Sequence, residues 1–123
     1  MSPRAAGATQ HELSRVGLLA TLPGETLGRL AARMEREEVP AGAGIVREGD
    51  EGERFYVVLS GMLGVSQAAR GAQRVLRPGD YFGEVALAMD MPRTASVTAL
   101  TPVTVASCDR AAFDEFVRPL FSD

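Results

Sequence analysis

Between Val39 and Leu76 the apolar segments are brief and interrupted by glycine: Ile45 to Arg47, Phe55 to Leu59, Met62 to Ser66 and Arg74 to Leu76. Runs this short cannot carry the apolar stripe of a packed helix, and their rhythm predicts antiparallel β structure. Further on, Ala95, Val97 and Ala99 alternate with Thr94, Ser96 and Thr98, giving one core face and one polar face. Val103 and Val105 repeat the pattern, and a hairpin around Thr101 and Pro102 is expected to join the two strands.

Helical spacing brackets this β region. Leu27, Leu30, Ala31 and Met34 fall on one stripe after Pro23, which a first helical turn tolerates, so a helix from about Pro23 to Arg36 is expected. A shorter helical piece is expected near His11 to Val16, and the Arg33 to Glu38 charge cluster reads as a solvated helix end. Asp109 is placed to cap a final helix with Phe113, Phe116, Val117 and Leu120 on one stripe; Pro119 bends or ends it near Arg118. The expected fold is therefore mainly β with flanking helices: a jelly-roll-like antiparallel β-roll of about eight strands. A chain of 123 residues has enough surface for one core and not for two, since it buries only about 65% of its unfolded area. Residues 1–10 are read as a flexible tail and 11–123 as a single domain.

Charge and composition remove several function classes. A net charge of −3 with no basic face argues against a direct nucleic-acid interface, which needs clustered Lys and Arg. No segment approaches the roughly 20 apolar residues of a membrane span. The single cysteine, Cys108, forms no internal disulfide and suits a reducing cytoplasm; at a strand end it reads as a small buried hydrophobe. His11 is the only histidine, so the several imidazoles of a jelly-roll metal centre are absent, and no metal or nucleophile constellation marks an enzyme.

The stretch from Phe82 to Val97, Phe-Gly-Glu-Val-Ala-Leu-Ala-Met-Asp-Met-Pro-Arg-Thr-Ala-Ser-Val, carries the remaining chemistry. Gly83 allows a tight turn, and Glu84 to Met89 are expected to open a short helix whose first N–H groups attract an anion. Arg93 supplies a planar fork for phosphate oxygens. Glu84 beside a phosphate would repel it, but makes sense as an acceptor for a ribose hydroxyl. A cyclic nucleotide carries both groups. Taken singly, Gly83 could be an ordinary turn glycine, Glu84 an ordinary helix-start acid and Arg93 a surface arginine; it is their joint spacing that points to a site.

The segment resembles, without a gap, the phosphate-binding cassette of the cyclic nucleotide-binding domain. That sensor is shared by cyclic nucleotide-dependent kinases, ion channels and catabolite-activator-type regulators. The resemblance extends to the Gly49-Asp50-Glu51-Gly52 turn, to Phe55 through Gly61, and to Pro78-Gly79-Asp80, and so covers roughly Leu18 to Phe121. It implies a double-stranded β-helix with N-terminal helices, a short cassette helix and a C-terminal helix. The ligand residues it implies are Phe82, Gly83, Glu84, Val85, Ala86, Arg93, Thr94 and Ala95. Glu84 would accept from the ribose 2′-hydroxyl, and Arg93 would pair with the cyclic phosphate. Val65, Leu76, Val85 and Val97 are candidates for the pocket wall or the core, and Met89 and Met91 are expected to pack beneath the cassette.

Thr94 bears on ligand choice. Cyclic AMP-selective relatives often have alanine at this position, whereas cyclic GMP-responsive ones often carry threonine; dual recognition is the expectation. The resemblance implies a cytoplasmic, non-catalytic regulatory module. It would bind cyclic AMP or cyclic GMP with no cofactor and pass occupancy on by moving the cassette and the C-terminal helix. The family carries a further helix that covers the base, for which little chain remains here; another chain could supply that roof. The effector is left open, as is a homodimer. The alternative reading is an interaction scaffold that keeps the fold and has lost the ligand.

Overall fold

The computed structural model describes residues 7–121. Eight strands form two four-stranded antiparallel sheets. One runs in the order β1 (Glu35–Val39), β8 (Val103–Asp109), β3 (Arg54–Ser60), β6 (Tyr81–Phe82). The other runs β2 (Gly44–Val46), β7 (Ser96–Ala99), β4 (Leu63–Gln67), β5 (Gly71–Leu76). The helices are α1 (Gln10–Ser14), α2 (Gly24–Ala32), α3 (Glu84–Ala88) and α4 (Arg110–Ala112). The β-roll with flanking helices read from the sequence is the fold observed.

Strand alternation decides which side chains face which layer. Phe55 and Val57 of β3 point with Ala106 and Cys108 toward the helices, packing with Leu13, Leu30, Leu87 and Phe113. Tyr56 and Val58 point the other way, joining Val103, Val105, Leu63, Leu76, Phe82 and Val97 between the sheets. A strand covered on both faces explains why Phe55 to Leu59 is continuously apolar rather than alternating.

Several local expectations change. The helix expected to reach Arg36 ends at Ala32, and Glu35–Val39 is a strand pairing with β8 from Glu35↔Ser107 to Val39↔Val103. Of the Arg33 to Glu38 cluster only Arg33 sits at the helix end, as the C-cap of α2; the charges from Glu35 to Glu38 lie on an edge strand, where they discourage pairing with another chain. Thr101 and Pro102 do not close a hairpin, because β7 and β8 belong to different sheets and the chain crosses between them. Of the stretch 1–10, residues 1–6 lie outside the described residues. Ala8 is fully buried and Thr9 caps α1 in a reciprocal box with Glu12. Glu12 also takes both terminal nitrogens of Arg36 at 3.0 and 2.9 Å, which fastens α1 to β1 and holds its carboxyl below the usual range.

At the far end Asp109 Oδ1 accepts from the Ala112 N–H at 2.9 Å, the expected cap. The stripe Phe113, Phe116 and Val117 is buried, but on a π-helical stretch, Phe113–Val117, followed by a 3-10 turn, Arg118–Phe121. Pro119 has no N–H to give the carbonyl four residues back, so the regular ladder cannot continue through it. Among the described residues, no helix is long and apolar enough to cross a membrane.

Candidate functional site

Phe82 ends β6 opposite Tyr56 of β3, and their rings stack at 4.7 Å with an interplanar angle of 4°. Gly83 follows with φ +94°, a left-handed turn that delivers the chain into α3. The return loop is fixed by main-chain bonds to the turn before β3: Arg93 N–H to Asp50 O at 2.8 Å and Gly49 N–H to Arg93 O at 2.9 Å. Two segments some forty residues apart in sequence therefore set the Arg93 backbone, as a β-roll allows and a local motif does not.

Arg93 is 7% exposed. Its Nη1 donates to Gly83 O at 3.2 Å and its Nη2 to Arg54 O at 2.9 Å, while Cζ lies 5.9 Å from the centre of the Tyr56 ring. Each terminal nitrogen carries two N–H groups, so these bonds orient the fork and leave it capacity for further acceptors. Burial lowers the Arg93 pKa, an effect countered by Tyr56, Glu84 and Glu53 nearby. Glycines make room for the guanidinium. A Cβ on Gly83 would stand 2.7 Å from Arg93 Nη1, and one on Gly52 would stand 2.9 Å from Cζ.

Glu84 opens α3 and is half-buried. Burial raises its pKa, opposed by the main-chain N–H groups of Val85 and of Glu84 itself and by the charges of Arg74 and Arg93. A half-open cavity of about 140 Å³ is lined by Phe82, Gly83, Glu84, Val85, Ala86, Arg93, Thr94 and Ala95. These are the eight ligand residues inferred from the sequence, brought to one surface. Val65 and Val97 complete the wall, with Val46 and Arg74, which the sequence reading missed. Leu76, offered as either wall or core, belongs to the core: it is fully buried between the sheets and does not line the cavity. Met89 and Met91 are corrected too, at 68% and 41% exposed; Ala86 and Leu87 supply the buried face of α3 instead.

A second, more open cavity of about 530 Å³ is also bounded by Arg93, together with Arg47 and Arg54 and the carboxylates of Asp50, Glu51 and Glu53. The smaller cavity is the one that joins Arg93 to Glu84 and the main chain of Gly83 to Ala86.

The cyclic nucleotide-binding domain family matches residues 36–119, and the chain belongs to that family. It is 40% identical over 108 residues to a cAMP-dependent protein kinase regulatory subunit of Eremothecium gossypii, covering 88% of this chain and 24% of that one. Over 114 residues it is 35% identical to the cGMP-dependent protein kinase egl-4 of Caenorhabditis briggsae, covering 88% of this chain and 15% of the kinase. The regulatory domain of Toxoplasma gondii PKA, solved as a co-crystal with cAMP, superposes with a TM-score of 0.87 at 29% identity, covering 90% of this chain and 44% of that one. The chain thus spans about a quarter or less of the curated relatives named here.

Proposed function

We propose that the cavity between α3 and β7 binds a cyclic mononucleotide, cyclic AMP or cyclic GMP, and that the domain regulates without catalysing. Glu84 accepts from the ribose 2′-hydroxyl, Arg93 pairs with the cyclic phosphate, and main-chain N–H groups from Gly83 to Ala86 serve the remaining oxygens. Val65, Val85 and Val97 flank the sugar and base. Thr94, exposed at the rim, offers its hydroxyl to either base, consistent with dual recognition.

The observation carrying this reading is the burial of Arg93, oriented by two carbonyls, in the wall of the same cavity that Glu84 lines. A buried cation and a carboxylate acceptor in one apolar-walled cavity match the two polar groups of a ribose cyclic phosphate. That pairing is also what favours a working sensor over a scaffold that has lost its ligand. The named relatives are kinase regulatory subunits or cyclic nucleotide-dependent kinases, which supports a cytoplasmic module acting on a fused or separate effector.

Titration calorimetry with both nucleotides tests the assignment. Removing one partner of a buried charged pair costs about 2–5 kcal/mol, so Arg93→Ala should weaken binding by some tens to thousands of fold. Unchanged affinity in a folded Arg93→Ala protein removes Arg93 from the site. In wild type, ligand at 100 times its dissociation constant should add about 2.7 kcal/mol of stability.

A further inference from the structure

Tyr56 sits within β3, 9% exposed, where strand alternation turns its ring into the space between the sheets. That ring lies parallel to the ring of Phe82, the residue before Gly83. Three parts of the chain meet at this point. Gly83 O and Arg54 O each take one N–H from the Arg93 fork, and the Tyr56 ring, two residues on from Arg54, lies beneath Arg93 Cζ at 5.9 Å. Burial pushes the Tyr56 phenol above its ordinary value, so the ring is neutral near neutral pH and meets the cation with its face rather than as a phenolate.

Two carbonyl bonds do not by themselves fix a planar cation. Bonds from Nη1 and Nη2 hold one edge of the guanidinium and leave the plane free to rock about that edge; a flat surface against its face removes this freedom. The rest of the five N–H groups remain for a ligand, and their aim follows the plane. Arg93 bounds the larger cavity as well as the smaller one, and the larger one carries the carboxylates of Asp50, Glu51 and Glu53. A guanidinium that rocked toward them would be turned away from the nucleotide.

We infer that Tyr56 is a positioning residue for nucleotide binding, whose ring face, stacked with Phe82, sets the plane of the Arg93 fork and aims its remaining N–H groups at the cavity that Glu84 lines. The inference rests on the nucleotide reading for its ligand and on the ring contacts for its geometry. The attraction comes from the negative face of the ring, so it depends on the ring's electrons and not only on its volume. The hydroxyl is dispensable to it.

Calorimetry and side-chain NMR on a graded set test it: Tyr56→Phe, Tyr56→Leu, and the protein with trifluoro- or pentafluorophenylalanine installed at position 56. Fluorine draws electron density off the ring face while nearly keeping its shape. Affinity for cyclic AMP and cyclic GMP should stay within about twofold in Tyr56→Phe, fall stepwise with fluorination, and drop about 5- to 30-fold in Tyr56→Leu, the range of a desolvated cation–ring contact. Without nucleotide, the Arg93 Nε–H should exchange with water, and the guanidinium rotate, several times faster in Tyr56→Leu and the pentafluoro protein than in wild type or Tyr56→Phe. Equal affinity across the fluorinated series overturns the inference, because a ring that merely fills space does not respond to its electrons. A loss in Tyr56→Phe as large as in Tyr56→Leu overturns it too, and assigns the effect to the hydroxyl. If wild type binds neither nucleotide, the nucleotide reading fails on its own, and the ligand-free Arg93 signals then decide: unchanged in every variant, they overturn the role of the ring as well. Should Tyr56→Leu not fold, the fluorinated set, which keeps the ring, carries the same comparison.

Discussion

Replacing Gly52 by alanine should damage nucleotide binding although Gly52 touches no ligand group. A Cβ at this buried position would lie 2.5 Å from the Ala86 Cβ, 2.9 Å from Arg93 Cζ and 3.0 Å from Arg93 Nε. Carbon atoms in good contact sit about 3.5–4.0 Å apart, so about 1 Å must be recovered on the Ala86 side and slightly less on the Arg93 side. Ala86 is on α3 and Arg93 is fixed by carbonyls of Gly83 and Arg54, so the displacement falls on the cavity wall itself. Overpacking of this size costs about 1–3 kcal/mol, or a drop in Tm of roughly 4 °C per kcal/mol in a domain of this length. A shifted guanidinium should also lose about 10- to 100-fold in cyclic AMP affinity, equivalent to about 1.4–2.8 kcal/mol. The control is Gly42→Ala: Gly42 has φ +90° but nothing within 4 Å of its added Cβ, so backbone strain lowers Tm there without touching the site. Calorimetry and thermal unfolding of both variants decide. Undiminished affinity in folded Gly52→Ala, or an equal loss in Gly42→Ala, refutes the claim that Gly52 acts by seating Arg93.

Three other responses follow from two titratable groups. Burial raises the Glu84 pKa, so the folded state holds that proton more tightly than the unfolded chain; this stabilisation is complete below the ordinary carboxylate value of about 4.3 and is lost as pH climbs through the raised one. Ligand-free Glu84→Gln should therefore be more stable than wild type at neutral pH and lose that advantage near pH 4, with denaturant unfolding at both pH values as the measurement; a pH-independent difference contradicts it. Nucleotide affinity of the wild type should also weaken as pH falls through that raised pKa, because a protonated Glu84 is a poorer acceptor. Cys108 is fully buried with its thiol pushed up to about 12, so a thiol reagent at mildly alkaline pH should leave native protein unmodified while labelling the denatured chain completely. Rapid native labelling would mean that β8 opens far more readily than its packing implies.

The architecture and the candidate site residues were legible because each has a local signature: brief apolar runs for strands, and a contiguous cassette for Phe82 to Val97. What sequence did not disclose was non-local. Glu35 to Val39 looks like a charged helix end until β8 is seen to need a partner on its open side, and only Val39 of that strand is buried. Thr101 and Pro102 have the chemistry of a turn, and nothing local distinguishes a hairpin from a crossing between sheets. Gly52, Tyr56 and Arg74 reach the site by folding from other strands and turns, and Arg74 was visible only as part of a strand whose outward face was unassigned. The same limit hid the bonds from Arg118 to the carbonyls of Ala88 and Leu87, which lie 30 and 31 residues away.

A guanidinium desolvated among carbonyls and an aromatic ring has given up much of its hydration before any anion arrives. An anionic guest of the proposed kind would relieve that cost, so the bound domain would be the more stable. Inside a cell, where proteases sample transiently opened chains, that difference translates into turnover, and the standing amount of the protein would rise and fall with the supply of the metabolite that fills it.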